Sequence, residues 1–570
     1  MAKDLNIKIS GEAGQGMQTI GQALCLLYKN IGLNIFALQD YMSRVRGGNN
    51  FFQLRISESP VYAARGNCDI LVALDKASVA IHKAALGGGG IVVLDRKKFG
   101  IEEADTSFFD LPMYDLADKA GGSDIFVNSV ACGALAGLTG VGFEHVEHIL
   151  TSLFGGKSGD IILQNVAAAR SGYEFVRESS RYGAFQVKCC ASSGDMVMNG
   201  NDAVSLGAIR AGCKFYTAYP MTPSTDIMNF LARYSRRYGI VVEQAEDEIA
   251  AVNMALGASF AGVRSMTGTS GGGFALMEEG VSLAGMTETP VVIFLGQRPA
   301  PATGFPTRTE QADLDMAIHA GHGEFARAVL APGSIEEAFS LTVKAFDLAE
   351  KYQIPVIILS DQHLADCVRN VAASGLSGSS AGRFIISKED SKKISGYLRY
   401  ALTPTGISPR AVPSWIADPV YADSDEHTEQ GHITEDGGIR RAMVEKRLYK
   451  KMAGLSQETV KPVTGGAPDA KIMLIGFGST LGAVRETADF LKDRKVGFVH
   501  LSQVWPFPEK ELLSLVKKGR KLFTVENNAS GQLARLIRRE TGVKVDGSIL
   551  KFDGRPFVLD ELVERVKAEC

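Results

Sequence analysis

No Cys-x-x-Cys pair occurs in these 570 residues, and of the eight cysteines (Cys25, Cys68, Cys132, Cys189, Cys190, Cys213, Cys367 and Cys570) only Cys189 and Cys190 stand close together. An iron–sulfur cluster or a structural zinc needs thiolates spaced to converge on one metal, so this chain is expected to carry neither. Its thiols read as buried and reduced. Also lacking is any run of roughly 18 apolar residues, the length that would span a bilayer. The opening Met1-Ala2-Lys3-Asp4 has none of the basic start, apolar stretch and small-residue cleavage site of a signal peptide, which points to the cytoplasm. A net charge of only −3 leaves no electrostatic reason to expect nucleic acid or an anionic membrane as partner. The histidines form no metal signature: His145/His148 and His319/His322 are three apart, and His427 and His432 flank Glu429 without convergent carboxylates.

What is present is an ordinary globular composition on a chain too long for one core, so about three or four domains are expected. Residues 5–10 read as a buried strand, followed by the turn Gly11-Glu12-Ala13-Gly14-Gln15-Gly16 and an amphipathic helix to about Asn30. Apolar runs at 34–38, 51–56, 69–74 and 91–95, several separated by helical patterns, place residues 1–180 in an α/β layer fold. The stretch 179–200 lacks periodicity and reads as a linker. A second α/β block over 200–372 has strands expected at 214–218, 240–243, 264–267, 291–295 and 356–360. A Ser/Gly-rich connector starts at Ser374. Residues 384–465, charged and proline-bearing, read as an extended connector wrapped over other domains. A last α/β block over 466–570 has strands at 471–476, 496–501 and 521–525. The fold class is therefore α/β, with three α/β domains.

Chemistry is carried unevenly. The N-terminal turn can cradle an anion at a helix N-terminus, but it is not G-x-G-x-x-G, and a ligand-free tight turn fits equally well. Arg44 and Arg46, beside Gly47 and Gly48, suit a phosphate-rich ligand, a partner carboxylate or a solvated loop. The middle block says more. Ala218-Tyr219-Pro220-Met221-Thr222-Pro223-Ser224 stops a strand with two prolines and puts Thr222 and Ser224 hydroxyls at the sheet edge where α/β ligand sites lie. Glu243, Glu246, Asp247 and Glu248 then run into a helix; they fit favourable dipole charges as well as a site. Glu248, however, opens a helix rich in alanine and glycine that packs closely. A buried carboxylate there needs a partner, and a protonated ring nitrogen would serve. A third element, Thr269-Ser270-Gly271-Gly272-Gly273, lets a backbone or ligand approach closely. A fourth, from Gln297-Arg298 to Thr307-Arg308-Thr309-Glu310-Gln311, offers Arg308 for bidentate carboxylate binding.

Taken in order, AYPMTPST, EQAEDEIAAVNMALGASFAG, TGTSGGG and QRPAPATGFPTRTEQADL resemble the α subunit of the 2-oxoacid:ferredoxin oxidoreductases, in the form fused to an N-terminal γ-type domain. GEAGQG and RVRGGNN are similar to the γ part, and EHTEQGHITEDGGIRRAMVEKR and VENNASGQLA extend the likeness to nearly the whole chain. TSGGG stands where TSGPG is more usual. The resemblance implies a γ-type domain over 1–180, a pyrimidine-type thiamine diphosphate domain over 200–372 and a transketolase C-terminal-like domain over 466–570. It implies that Glu248 hydrogen-bonds the aminopyrimidine and favours its imino tautomer, whose nitrogen removes the thiazolium C2 proton. Tyr219 and Pro220 would line that pocket, while Thr222 and Arg308 would hold the 2-oxoacid. The Gly-Asp-Gly start of the diphosphate- and Mg²⁺-binding motif is missing. By resemblance that motif and the [4Fe–4S] cluster belong to a β subunit, with coenzyme A as cosubstrate, ferredoxin as acceptor and an (αβ)₂ assembly. 2-Oxoglutarate is the expected substrate, with pyruvate, branched-chain acids and a non-redox thiamine enzyme half as alternatives.

Overall fold

The computed structural model describes residues 4–43, 48–103, 105–191, 194–378, 382–516 and 519–569. Arg44 and Arg46 lie outside them. The chain forms two compact units: Met1–Met198 with Cys367–Ala373 and Val558–Glu564, and Asn199–Asp366 with Ser374–Phe557 and Arg565–Cys570. Among the described residues no helix is long and apolar enough to cross a membrane.

In the first unit, strands β1 (Leu5–Glu12), β2 (Asn34–Asp40), β3 (Asn49–Ser57), β4 (Cys68–Ala73), β5 (Leu86–Leu94), β6 (Phe108–Asp110), β7 (Met196–Asn199) and β14 (Val368–Val371) form one mixed sheet ordered β6-β5-β4-β1-β3-β2-β14-β7. β1, β4, β5 and β6 are parallel, whereas β3 runs against β1 and β2. Seven of the eight β1 residues are buried, as a strand covered on both faces requires. Helices Met17–Asn30, Val127–Leu138 and Gly159–Arg177 supply much of that cover through Leu24, Leu27, Val130, Leu135, Ala168 and Val176. Two glycines let the last two helices touch backbone to backbone: a Cβ on Gly133 would overlap the Ala169 carbonyl, and one on Gly172 that of Val130. The GEAGQG turn closes on itself. Gln15 Oε1 accepts from the Glu12 amide at 2.8 Å, and Gln15 Nε2 donates to the Leu74 carbonyl at 3.3 Å. Part of the expected linker is strand, since β7 joins this sheet. The expectation of uniformly buried thiols also fails: Cys189 and Cys190 are exposed, while Cys25, Cys68, Cys132, Cys213 and Cys367 are buried.

The second unit holds two sheets. The larger contains β8 (Phe215–Ala218), β9 (Val241–Gln244), β10 (Ser265–Thr269), β11 (Val291–Gln297), β12 (Ala328–Leu330), β13 (Pro355–Asp361) and β18 (Gln503–Trp505), ordered β18-β12-β13-β11-β10-β8-β9 and parallel except for β18. β10, β11 and β13 are buried along their whole length, the continuous pattern of central parallel strands. The smaller contains β15 (Val463–Gly466), β16 (Ile472–Phe477), β17 (Val496–Leu501), β19 (Lys521–Glu526) and β20 (Gly547–Leu550). Side chains from both sheets and from helices packed on them share one core, among them Phe274, Ile293 and Ile357 with Ile475, Val499 and Leu536.

Candidate active site

Five parallel strands of the larger sheet, β8, β9, β10, β11 and β13, finish at one edge. Register places Ala218 beside Gln244, Thr269 beside Leu295 and Gln297 beside Asp361. The segments leaving that edge, 219–224, 245–248, 270–273 and 298–313, are the four singled out in the sequence.

After β8, Pro220 and Pro223 stop the strand, with a cis bond between Thr222 and Pro223. Tyr219 is exposed, and Pro220 and Thr222 are half-buried. Ser224 corrects an expectation. It is buried, and its hydroxyl donates to the Met221 carbonyl at 2.8 Å, which closes the turn instead of facing a ligand. Thr222 is fixed through its carbonyl, which accepts from Arg298 Nη1 at 3.0 Å.

After β9, Asp247 caps the helix Glu248–Phe260: its extended backbone lets Oδ1 accept from the Ala250 amide at 2.7 Å. That cap sets the helical phase and turns Glu248 inward, to 3% exposure, while Glu243, Glu246 and Asp247 stay exposed. Glu248 Oε1 is buried and has no hydrogen-bond partner among the described residues. It lies against Gly273, where any Cβ would overlap both Glu248 Oε1 and Thr269 Oγ1. Gly272, which stands where proline is more usual, is therefore not the critical position: a Cβ there meets nothing, and the site depends on Gly273. A buried carboxylate oxygen without a donor is costly, and the arrangement fits a donor from outside the chain, such as a protonated ring nitrogen.

The loop after β11 brings two residues that sequence reasoning passed over. Half-buried Arg298 is drawn below its usual range by burial, with the charges of Asp313 and Glu248 opposing. Asp313 is pushed up to about 6 by burial, with Arg298 opposing. A Cβ on Gly271 would lie 2.5 Å from Asp313 Oδ2. The first turn of helix Gly271–Met286 thus has Asp313 against Gly271 and Glu248 against Gly273. The available signal was position alone: Arg298 directly follows a wholly buried strand.

Arg308, also buried, stands elsewhere on that loop, where a Cβ on Gly554 would lie 3.3 Å from its own Cβ. The loop is pinned to the smaller sheet's connections. Thr309 N donates to the Gly554 carbonyl at 3.3 Å, Gln311 N to the Asn527 carbonyl at 2.7 Å and Gln311 Nε2 to the Phe477 carbonyl at 2.9 Å. Asn527 N returns a bond to Gln311 Oε1 at 3.1 Å. Thr222 and Glu248 are therefore gathered around Arg298, and Arg308 is held against the 551–555 segment.

Comparison with known proteins matches these parts in order. Residues 6–175 match the family described as pyruvate ferredoxin/flavodoxin oxidoreductase, 206–446 its thiamine diphosphate-binding domain and 470–562 its core domain II. The alpha subunit of 2-oxoacid:ferredoxin oxidoreductase 2 from Aeropyrum pernix is 31% identical over 632 residues, covering 99% of this chain and 97% of that protein. The chain belongs to this family of alpha subunits. For this 2-oxoacid:ferredoxin oxidoreductase alpha subunit, the thiamine-binding match contains every segment of the edge just described. A solved 2-oxoglutarate:ferredoxin oxidoreductase from Magnetococcus marinus, described with 2-oxoglutarate, coenzyme A and succinyl-CoA bound, superposes with a TM-score of 0.92 at 32% identity, covering 100% of this chain and 99% of that one. The 2-oxoglutarate synthase subunit KorA of Methanothermobacter marburgensis is 33% identical over 65% of this chain and 97% of its own length. An alpha subunit implies a partner subunit, and the family's acceptor is ferredoxin.

Proposed function

We propose that this alpha subunit, joined to a beta subunit, carries out the coenzyme A-linked oxidative decarboxylation of 2-oxoglutarate to succinyl-CoA and CO2. The observation that carries the reading is Glu248 Oε1, buried without a donor beside Gly273. A protonated nitrogen of the aminopyrimidine ring is the donor that completes it. Tyr219 and Pro220 line the ring's pocket. The Thr222 hydroxyl and the Arg308 guanidinium hold the 2-oxoacid, with Arg308 paired to its carboxylate. Thiamine diphosphate, when bound, supplies the nucleophilic carbon and the electron sink for decarboxylation. The diphosphate site, Mg²⁺ and the [4Fe–4S] cluster are assigned to the beta subunit, in keeping with the lack of Gly-Asp-Gly and of any Cys-x-x-Cys pair in this sequence. Electrons then pass through that subunit to ferredoxin in an (αβ)₂ assembly. The choice of 2-oxoglutarate over pyruvate or branched-chain acids is supported by the Magnetococcus and Methanothermobacter relatives.

The test is co-expression with the beta chain and assay of several 2-oxoacids with coenzyme A and a viologen dye. Glu248→Gln is expected to lower kcat at least about a hundredfold, the scale of lost acid–base assistance, while the subunits still assemble. Near-normal turnover would refute the role of Glu248. A higher kcat/KM for pyruvate than for 2-oxoglutarate would overturn the choice of substrate.

A further inference from the structure

The described cysteines fall into two groups. Cys25, Cys68, Cys132, Cys213 and Cys367 are buried. Burial pushes the Cys25, Cys132 and Cys213 thiols up to about 12 and that of Cys68 up to about 11, which keeps them protonated and inert. Cys189 and Cys190 are exposed, adjacent in the chain and part of the first unit. The backbone that carries them is anchored on both sides. Phe185 N donates to the Leu138 carbonyl and Val187 N to the Thr139 carbonyl, each at 3.0 Å, and Cys190 N donates to the Ile31 carbonyl at 2.7 Å. Beside that last bond Gly32, at φ 84°, meets the segment so closely that a Cβ on it would lie 2.6 Å from the Cys190 carbonyl carbon. The Cys190 thiol turns back along the chain and donates to the Lys188 carbonyl at 3.7 Å, across the backbone of Cys189. Two exposed nucleophiles are therefore held side by side.

A disulfide between chain neighbours closes a ring through their shared peptide. Consecutive Cα atoms stand about 3.8 Å apart, below the roughly 4.4–6.8 Å of ordinary disulfides, so such a ring is strained and easily reduced. That suits a bond made and unmade, not one that supports a fold. We propose that Cys189 and Cys190 form a reversible redox-modification site, oxidised by hydrogen peroxide to a vicinal disulfide and reopened by dithiol reductants. One thiolate attacks a peroxide oxygen, the O–O bond breaks, and a sulfenic acid forms with release of water. The second thiol displaces the sulfenic oxygen as another water and the S–S bond forms. The pair has then given up two electrons and two protons, and the peroxide has taken them. Thiol–disulfide exchange restores both thiols and leaves the reductant as its own disulfide. Because the Cys189–Cys190 peptide lies in the ring, closure turns its N–H away from the Ile31 carbonyl and lifts the segment off Gly32.

The experiment uses the assembled alpha–beta complex, kept anaerobic and reduced and then given one equivalent of hydrogen peroxide. Trypsin cleavage after Lys188 and Arg210 releases both thiols on one peptide. That peptide is expected to lose the mass of two hydrogens, and dithiothreitol to restore it. In the oxidised complex the Cys190 amide should exchange its hydrogen about tenfold faster, as befits one freed from its carbonyl. Cys189→Ser and Cys190→Ser should each abolish the mass loss while leaving turnover and melting temperature of the reduced complex unchanged. Oxygen added to either sulfur with no S–S bond, a disulfide to Cys570 or to another chain, or no reaction with excess peroxide overturns the proposal. Mass loss without faster exchange at Cys190 overturns the release from Ile31.

Discussion

Asp313 is 8% exposed, and its carboxyl is pushed up to about 6 by burial against the opposing charge of Arg298. In an unfolded chain an aspartate titrates near about 3.9, so from roughly pH 4 to 6 the native protein binds more protons here than the unfolded one. The contribution of this group to stability is present below that window and falls as pH rises through it, by about 3 kcal/mol for a difference of about two units. Asp313→Asn removes the titration. The melting temperature of the variant relative to the parent is therefore expected to climb between pH 4 and pH 7, and an unchanging difference over that range would count against a buried, raised carboxyl. At this scale the sequence was readable by residue type and unreadable by orientation. Four carboxylates in six residues left Glu248 indistinct from its neighbours on spacing alone, because what separates them is the helical phase set by the Asp247 cap. The same limit explains Ser224, which faces its own turn, and Arg298, whose importance comes from the neighbours gathered at the strand edge.

Among the elements, the segment around 384–465 was the hardest to read, because its buried positions are charged. Glu288, on the larger sheet's side of the second unit, is fully buried with Lys446 and Lys451, and Arg399 donates to its backbone carbonyl at 2.7 Å. Residues five apart sit about 140° from each other on an α-helix. Glu445–Lys450 is instead a π-turn, whose i→i+5 bonding brings Lys446 and Lys451 round to the same carboxylate. No apolar periodicity announces such a helix. Burial alone would raise the Glu288 carboxyl, but Lys451, Lys446 and Arg399 outweigh it and hold the group below the usual carboxylate range. Burial lowers Lys446 to about 7, with Glu288 opposing. The two sides of this cluster should therefore respond differently to mutation. Glu288→Gln takes the counter-charge from the buried Lys451 ammonium and from Lys446 together, and is expected to cost about 3–5 kcal/mol. Lys446→Met removes a cation already close to losing its proton and leaves Lys451 on the carboxylate, so its cost should be clearly smaller. Denaturation midpoints at pH 7 decide this; equal losses in the two variants would show that Lys446 is a full ion-pair partner.

Across the whole chain, the order of strands and helices was legible because central parallel strands are unbroken apolar runs: β10, β11 and β13 lie at or within a few residues of their expected positions. Strands β14 and β18, of four and three residues, were not, since nothing in so short a stretch says which sheet it will join. The same holds for pairings between distant motifs. PTRTEQ and VENNASG each stood out, but that they meet is a fact of folding: Gln311, fully buried, bonds to Phe477 and to Asn527, and its carbonyl accepts from Asn528 Nδ2 at 3.2 Å. The smaller sheet thus fixes the loop that carries Arg308, a part of the site proposed to grip the substrate carboxylate and not the cofactor. Gln311→Met keeps the volume but leaves the Phe477 carbonyl and the Asn527 amide without their side-chain partner, a penalty of about 1–3 kcal/mol for each buried group. Some of that strain should be relieved by movement of the loop. The expected outcome is a KM for the 2-oxoacid raised about tenfold or more, with thiamine diphosphate affinity unchanged because the Glu248 helix and its Asp247 cap are untouched. Weakened cofactor binding with a normal KM would mean that the smaller sheet supports the ring pocket and not the Arg308 loop.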